Sequence, residues 1–251
     1  MVNVEQEDSR LETLLTRVVG AVHTSFADSD RDAYGDLAPD VVVWPGSSDE
    51  VVEVLAVARQ SEARVAVTGA GTRTKHRWPR PDARHRLALD TQRLNNILRV
   101  DETSLLVQSQ CGIQLRFLEE ALQREGMTLG PLPASMRTST LGGVLADPPP
   151  LAASPLSGSF IDSCIGVTVA TAAGGLLETR VSPRSATGPD VAKLYLASSG
   201  ALGVITDAVL RVQREPEAKL CRLISFEGRD QALQAASALL AAGLRPARLT
   251  V

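Results

Sequence analysis

The stretch RVAVTGAGTRTKHRWPR, residues 64–80, begins as a short apolar strand and then enters the glycine-rich turn Gly69-Ala70-Gly71. A turn of this kind after a strand is typical of backbone loops that cradle phosphate groups. Small side chains let a ligand approach the main chain closely, and successive N–H groups can bind an anion. By itself the stretch leaves two interpretations open, a nucleotide site and an ordinary glycine turn.

Better-known motifs do not account for this turn. A Rossmann fingerprint starts with G-x-G and has an acidic residue about 20 positions on, where Asp90 stands, but Thr74 occupies its third glycine position. No helix is predicted after the turn, so no helix N-terminus would face a pyrophosphate. The chain also lacks the G-K-[ST] ending of a P-loop and the G-x-S-x-G of a nucleophile elbow. What remains is an anion-binding backbone loop without a helix behind it.

Composition and charge narrow the functional classes. The 251 residues are 44% hydrophobic and 22% charged, which predicts a globular protein of one or two domains. A formal charge of −3 and 3% aromatic residues give no indication of a nucleic-acid-binding surface. The sequence has no apolar run of the roughly 18 residues that a membrane span needs. Because its first ten residues are polar and acidic, unlike a signal peptide, we expect a cytoplasmic protein.

The cysteine pattern excludes several kinds of site. Cys111, Cys164 and Cys221 lie far apart with no CxxC pair, so neither a zinc site nor a disulfide framework is expected. Each is interpreted as a small core residue, and no metal site is predicted.

Residues on both sides of the turn predict alternating strands and helices. Helices are predicted at residues 9–26, after Ser47, at 114–125, at 191–196 and at 229–242. Strands are predicted at 41–46, 64–68, 86–90, 105–112, 164–180 (a hairpin turning at Gly174-Gly175), 201–212 (one bent strand or a pair) and 221–226.

Local signals support two helix starts and one strand pairing. Ser47 and Glu50 have the spacing of a capping box, and Asp190 is expected to cap the helix at 191–196. The β-α-β order of the opening predicts that strands 41–46 and 64–68 form a parallel pair with a right-handed crossover.

Two further small-residue patches accompany the turn. PASMRTSTLGG, residues 133–143, lies in a predicted loop too long to be a mere connection, and long loops inside compact domains are usually functional. GALGVIT, residues 200–206, is a third place where backbone could approach a ligand. Three such patches indicate an elongated ligand.

Several segments, in order and over roughly residues 37–251, resemble a known family. The specific feature is ATGPD followed by GALGVIT, with PDVVVWPGSSDEVVEVLAVARQ, VTGAGT, LDTQRLNNILRVDE, CGIQLRFLEEALQREG, GPLPASMRTSTLGG and RPARLTV in support. They are similar to FAD-linked oxidases of the vanillyl-alcohol oxidase type, which carry a PCMH-type FAD-binding domain. Within that family, these segments most resemble those of alkyldihydroxyacetonephosphate synthases. Glycolate oxidase flavin subunits and D-lactate dehydrogenases look like broader relatives.

The resemblance implies an α+β fold of two subdomains that hold FAD between them. It implies a helical segment at 1–36, an FAD-binding domain at 37–215 (subdomains of about 37–98 and 99–215) and the beginning of a truncated cap domain at 216–251. It also implies a set of cofactor-binding residues: Thr68, Gly69, Ala70, Gly71, Thr72, Arg73, Thr74, Pro133, Ala134, Ser135, Thr140, Gly142, Gly143, Gly200, Gly203, Val204 and Ile205.

This chain departs from the family pattern in three places. Thr72 stands where relatives that bind flavin covalently have histidine, so a noncovalent FAD is expected. VLADPPPLAA, residues 144–153, replaces a small polar stretch near the flavin, and its prolines remove backbone donors. Ser199 and Ala201 replace an acidic residue and a threonine of the family motif.

The function expected from this resemblance is that of an FAD-dependent oxidoreductase or an alkyldihydroxyacetonephosphate-synthase-like flavoprotein. Its substrate would be a small oxygenated molecule of the 2-hydroxy acid or acyl-glycerone phosphate class. No catalytic residue can be assigned, because in those synthases such residues lie in the cap and C-terminal region. The alternative is a flavin-binding, non-catalytic module that needs a partner subunit. Residues 220–251 are expected to mediate homo- or hetero-oligomerisation through exposed apolar surface.

Overall fold

The computed structural model describes residues 4–32, 34, 39–72, 85–149, 153–182 and 188–251. Its α-helices are α1 (Val4–Val19), α2 (Asp28–Asp32), α3 (Ser48–Gln60), α4 (Leu115–Arg124), α5 (Ala134–Arg137), α6 (Leu141–Ala146), α7 (Ala192–Tyr195) and α8 (Arg229–Ala241). Its strands are β1 (Thr24–Ser25), β2 (Val41–Val43), β3 (Arg64–Thr68), β4 (Arg86–Asp90), β5 (Ile97–Asp101), β6 (Leu106–Gln110), β7 (Met127–Thr128), β8 (Ala153–Ser154), β9 (Gly158–Ser159), β10 (Cys164–Ala170), β11 (Leu176–Glu178), β12 (Val204–Arg211) and β13 (Gln213–Arg214).

The first sheet has the strand order β1-β2-β4-β3. β2 and β3 each pair in parallel with β4, whereas β1 is antiparallel to β2. The prediction that β2 and β3 are a directly paired parallel couple was therefore wrong. β4 lies between them because Leu87, Ala88 and Leu89 are apolar on both faces and are fully buried there.

Helix α3 forms as predicted and packs on this sheet. Ser47 is its N-cap, and its side chain accepts a hydrogen bond from the Glu50 backbone N–H at 3.1 Å. The Glu50 carboxylate accepts from the N–H of Gly46 at 2.7 Å, one residue before the position that a standard capping box uses. The predicted apolar face of α3 is buried, and its residues Val51 and Val54 have no exposed surface.

The second sheet is antiparallel throughout, with the order β11-β10-β12-β6-β5. The predicted hairpin is present, with Gly174 and Gly175 at positive φ in its turn. Residues 201–212 were predicted to form either one bent strand or a pair of strands. They contain one strand, β12, which pairs with both β10 and β6.

The small-residue segment at 133–143 is not the structureless loop that was expected. It contains α5 and the start of α6, and the Thr140 side chain caps α6 by accepting from the Gly143 N–H at 3.3 Å. Apolar residues at helical spacing after this cap, Leu141, Val144 and Leu145, are fully buried, and this burial favours a helix despite the two glycines.

Other local predictions were wrong at particular residues. The N-terminal helix ends at Val19, since Gly20 with φ 87° cannot continue it. Val191 rather than Asp190 is the N-cap of α7, and no side chain caps that helix. The strand expected at 221–226 does not form, because Leu223 and its neighbours have no partner strand among the described residues and Leu223 is fully exposed.

Two large apolar cores lie under the two sheets. One contains α1 and α3 with the first sheet, and the other contains α4, α6 and the second sheet. They correspond in outline to the two expected subdomains, whose exact limits stay a prediction. No helix in the described part of the chain combines the length and the apolar character needed to cross a membrane.

Candidate functional site

A cavity of about 360 Å³ lies where the two sheets meet, which is within the usual size range of ligand sites. The turn after β3, the first turn of α6 and the segment that leads into β12 form its walls. The lining residues are Val67, Thr68, Gly69, Ala70, Gly71, Thr72, Thr91, Ser139, Thr140, Gly142, Gly143, Ala146, Asp147, Ser199, Gly200, Gly203, Val204 and Ile205.

The glycine turn, residues 69–72, is built against the opposite wall. A Cβ atom on Gly69 would collide with the Thr140 side chain, so only glycine permits this approach. Gly71 has φ 65°, a left-handed conformation that favours glycine. The Thr72 and Ser139 hydroxyls are 2.6 Å apart and link the turn to the α5–α6 segment. The turn is thus anchored before any ligand binds.

The glycines of the α6 wall have packing reasons of their own. The Gly142 N–H donates to the Cys111 carbonyl oxygen at 2.7 Å. A Cβ atom on Gly142 would lie 3.0 Å from both the Cβ and the carbonyl oxygen of Cys111. These contacts bring the main chain of α6 to the cavity surface.

The third patch also presents main chain to the cavity. Gly200 has φ 75°, and Ser199 adopts a similar left-handed conformation at φ 52°. A Cβ atom on Gly203 would lie 2.7 Å from a Val169 methyl carbon and 2.8 Å from the Ala170 carbonyl oxygen. The Ser199 N–H donates to the Ala146 carbonyl oxygen at 2.8 Å, which joins this patch to the end of α6.

Two threonines at the end of the first sheet complete the site. The N–H and the hydroxyl of Thr91 each donate to the Thr68 carbonyl oxygen at 3.0 Å. Thr68 Oγ1 is fully buried, so it does not reach the cavity, and it lies within hydrogen-bonding range of the Tyr34 hydroxyl.

Among the lining residues that the structure describes, Asp147 is the one charged side chain. Main-chain N–H groups and hydroxyls are therefore the groups in this described lining that could bind a phosphate, as in a backbone nest.

The structure brings together most of the predicted site residues. Thr68 through Thr72, Thr140, Gly142, Gly143, Gly200, Gly203, Val204 and Ile205 all line the cavity. Pro133, Ala134 and Ser135 lie at the start of α5, outside the lining, and Ser135 connects to it only through its carbonyl oxygen, 3.4 Å from Ser139 Oγ. Arg73 and Thr74 lie outside the described residues. Contact of each residue with FAD stays a prediction.

Sequence reasoning missed several lining residues. Ser139 adjoins the flagged Thr140 and could have been found from it, whereas Thr91 lies 23 positions from its partner Thr68 and gave no local signal. Asp147 and Ser199 were noticed only as departures from the family pattern.

Cys111 and Cys164 are buried as expected and do not supply a reactive group to the site, whereas Cys221 is exposed, so its interpretation as a core residue was wrong. Burial raises the pKa of Cys164 to about 12 and raises the pKa of Cys111 well above its ordinary value. Both thiols therefore remain protonated at neutral pH and are poor nucleophiles. Within the described residues, no group of three or more His, Cys, Asp or Glu side chains is placed to hold a metal ion.

The fold joins a mixed, mainly parallel sheet to an antiparallel sheet, and where the two sheets meet lies a glycine-walled cavity of the kind that nucleotide-binding proteins use. The family model described as "FAD binding domain" matches residues 39–180, which is more than half of the chain. The chain belongs to this family, and FAD is its cofactor.

Two curated relatives are longer than this chain. The chain is 30% identical over 212 residues to glycolate oxidase subunit GlcD of Bacillus subtilis, covering 84% of this chain and 45% of that protein. It is 31% identical over 214 residues to alkyldihydroxyacetonephosphate synthase of Dictyostelium discoideum, covering 84% of this chain and 35% of that protein. The chain thus spans less than half the length of either relative.

Solved structures confirm the expected fold. A structure of alkyldihydroxyacetonephosphate synthase superposes with a TM-score of 0.75 at 26% identity, covering 84% of this chain and 41% of that one. p-Cresol methylhydroxylase with bound substrate gives a TM-score of 0.75 at 15% identity, covering 93% of this chain and 48% of that one, which is a likeness of fold alone. The α+β, PCMH-type FAD-binding fold predicted from the sequence is confirmed.

Proposed function

We propose that the chain binds FAD noncovalently in this cavity and acts as an FAD-dependent oxidoreductase or an alkyldihydroxyacetonephosphate-synthase-like flavoprotein. The observation that carries the proposal is the gathering of three separate small-residue patches around one cavity. Bound FAD would supply the electron-transfer chemistry, and the residues of the chain would bind and orient it.

Each wall has a distinct proposed role. The N–H groups of the glycine turn would bind the diphosphate, with the Thr72 and Ser139 hydroxyls beside them. Main chain at Gly200 and Gly203 would pack against the flat or sugar portions of the cofactor. Noncovalent binding is supported by the lining itself, since none of its described members is histidine, cysteine or tyrosine.

The substrate class is inferred from the relatives. Glycolate oxidase subunit GlcD and alkyldihydroxyacetonephosphate synthase are both similar to this chain. We therefore propose a small oxygenated substrate, either a 2-hydroxy acid or an acyl-glycerone phosphate.

Direct measurement of FAD binding tests the proposal. Purified protein should show a flavin visible spectrum, or should quench added FAD and melt at a higher temperature. FAD at about 100 times its Kd should stabilise the native state by about 2.7 kcal/mol, which corresponds to roughly 5–10 °C for a chain of this size. Absence of colour, quenching and thermal shift would overturn the proposal.

A matched pair of glycine variants locates the binding site. Gly69→Ala introduces a methyl group that collides with Thr140 in the cavity, whereas a Cβ atom on Gly228 meets nothing within 4 Å and that residue is not at positive φ. Gly69→Ala should weaken FAD binding, and Gly228→Ala should leave it unchanged. Equal effects of the two variants would place FAD elsewhere.

A second candidate function is a flavin-binding module that is not catalytic without a partner subunit. It is supported by the scarcity of proton-transfer groups, because Asp147 is the one ionisable side chain among the described lining residues. The test is turnover of 2-hydroxy acids and acyl-glycerone phosphates with an artificial electron acceptor. Turnover by the purified chain alone would exclude this candidate.

We also propose that residues 220–251 mediate association with a second copy or another subunit. Leu223 is fully exposed, Ile224 is 64% exposed, and α8 has no buried residue. Exposed apolar surface of this kind favours association. Leu223→Asp should shift the protein towards monomer in sedimentation, whereas Leu98→Asp, at an exposed position on the second sheet, should not. A wild-type protein that sediments as a monomer at all concentrations would overturn the proposal.

A further inference from the structure

A polar cluster of three residues, buried Asp90, half-buried Tyr34 and exposed Gln92, adjoins the cavity without lining it. Asp90 is 1% exposed and, besides a hydrogen bond with the Trp44 side chain, accepts three hydrogen bonds. They come from the Tyr34 hydroxyl at 2.7 Å, the Gln92 backbone N–H at 2.9 Å and the Gln92 side-chain amide at 3.0 Å. Asp90 is the residue that a Rossmann interpretation would have assigned to ribose, and here its oxygens are engaged inside the protein.

The carboxylate at the centre of the cluster is held away from solvent. Burial raises the pKa of Asp90, although the hydrogen bonds from Gln92 and Tyr34 oppose that shift. Burial and the neighbouring Asp90 carboxylate raise the pKa of Tyr34, so the phenol keeps its proton and can donate. Tyr34 precedes β2 in the chain and packs on the face of the first sheet that carries Val42 and Ala88.

A short covalent and hydrogen-bonded path leads from this cluster to the cavity. Asp90 pairs with Thr68 across β4 and β3, and the next residue, Thr91, donates twice to the Thr68 carbonyl oxygen. Thr68 is followed directly by Gly69, the first residue of the glycine turn. Thr91 is also fixed from the second sheet, because a Cβ atom on Gly112 would collide with the Thr91 carbonyl oxygen.

We propose that Tyr34 is a positioning residue for the cofactor: its hydrogen bond to Asp90 fixes the Asp90–Thr91 segment and thereby the glycine turn that binds the FAD diphosphate. The proposal rests on the proposed function, since it assumes that FAD occupies this cavity. It makes Tyr34, which lies between α2 and β2, a determinant of cofactor affinity. Tyr34 acts through Asp90 and Thr91 rather than by touching FAD.

The first experiment compares the two tyrosines of the chain. Tyr34→Phe removes one hydroxyl and leaves a buried carboxylate oxygen with one donor fewer, whereas Tyr195→Phe removes a hydroxyl from α7, on the other subdomain. We expect Tyr34→Phe to weaken FAD binding about tenfold, as measured by flavin fluorescence. Tyr195→Phe should keep the wild-type Kd. An unchanged Kd in Tyr34→Phe would overturn the proposal.

Fragments of the cofactor separate positioning from general loosening of the fold. ADP contains the diphosphate and riboflavin does not, so Tyr34→Phe should weaken ADP binding about as much as FAD binding and leave riboflavin binding unchanged. Equal losses for ADP and riboflavin would indicate a merely structural role and would overturn the proposal. Failure of the wild-type protein to bind FAD or ADP would instead refute the proposed function.

Two further variants test the path itself. Gln92→Ala removes another donor to Asp90 at an exposed position, so it should fold even where Tyr34→Phe does not, and it should weaken ADP binding in the same direction. In a double-mutant cycle, Tyr34→Phe should have little further effect on FAD affinity once Asp90→Asn is present. Additive effects in that cycle, or wild-type ADP affinity in Gln92→Ala, would contradict the proposed path.

Discussion

On the first sheet, the cavity wall is a short turn at the end of β3, held by side chains: Thr72 contacts Ser139, and Gly69 packs against the Thr140 side chain. In the second subdomain, the glycines of the wall pack against carbonyl oxygens as well as side chains, Gly142 against that of Cys111 and Gly203 against that of Ala170. Side chains can rotate to accept a new atom, but backbone cannot. The first wall is therefore the adjustable one, and substitutions there should change ligand affinity more than stability.

The largest effect is expected where the two sheets meet through main chain. A Cβ atom on Gly112 would collide with the Thr91 carbonyl oxygen, and the Gly112 N–H donates to the Leu94 carbonyl oxygen at 2.7 Å. Gly112→Ala should lower the free energy of unfolding by about 3 kcal/mol or more. Urea denaturation measures this, with Gly228→Ala as the control. A loss below about 1 kcal/mol would show that the contact of Gly112 with Thr91 is as adjustable as the contact of Gly69 with the Thr140 side chain.

A smaller effect on stability, with a clear effect on affinity, is expected for Gly69→Ala. The Thr140 side chain must move to accept the methyl group, which weakens its cap on α6 and should cost about 1–2 kcal/mol. FAD affinity should fall about tenfold. Adding Thr140→Ala removes the Thr140 hydroxyl, which is the atom nearest to the new Cβ atom, and gives up the cap on α6. This second change should restore FAD affinity but not stability, and if affinity is not restored, the clash is not the cause.

The cap of α3 tests whether the first sheet can be weakened without changing the cavity. Ser47→Ala removes the acceptor for the Glu50 N–H and should cost about 1 kcal/mol. The Kd for FAD should stay within about twofold, since Ser47 is not a lining residue. Thermal unfolding of the protein without FAD measures the loss of stability, and a titration with FAD measures the Kd. A large loss of affinity would link the α3 cap to the glycine turn.

The smallest effect is expected at the start of β4, where Arg86 binds the Asp40 carboxylate. The backbone N–H and a side-chain N–H of Arg86 each donate to Asp40 at 2.8 Å. Burial tends to raise the pKa of Asp40, but the hydrogen bonds and charge of Arg86 outweigh it and hold the pKa below its ordinary value of 3.8. Asp40→Asn should cost about 0.5 kcal/mol at pH 7.

The pH dependence of this variant has a definite sign. A carboxylate with a lowered native pKa contributes stability above its unfolded value, and that contribution is lost as the pH falls through the native value. The difference between Asp40→Asn and wild type should therefore be present at pH 5–7 and shrink below about pH 4. A difference that grows on acidification would contradict the assignment to Asp40.

Local chemistry was readable from the sequence where neighbouring residues decide it. The Ser47 cap, the turn at Gly174-Gly175 and the strand before Gly69 depend on residues a few positions apart, and all are present. The three small-residue patches could also be recognised, although their meeting in one cavity is a tertiary fact.

What sequence reasoning missed depends on long-range packing. The place of β4 between β2 and β3 follows from burial on both of its faces, which strand periodicity does not encode. Helix α6 forms within a glycine-rich segment because its apolar face is buried in the core of the second subdomain. Thr91 enters the cavity only because β3 and β4 end side by side.

The two cores are not separate bodies. Ala170 and Val204 belong to strands of the second sheet, yet they pack in the core of the first sheet with Leu87 and Leu89. Neither subdomain can lose its structure without exposing apolar surface of the other. The described subdomains should thus unfold in one cooperative transition, and amide hydrogens of β4 and β12 should exchange at the same slow, global rate.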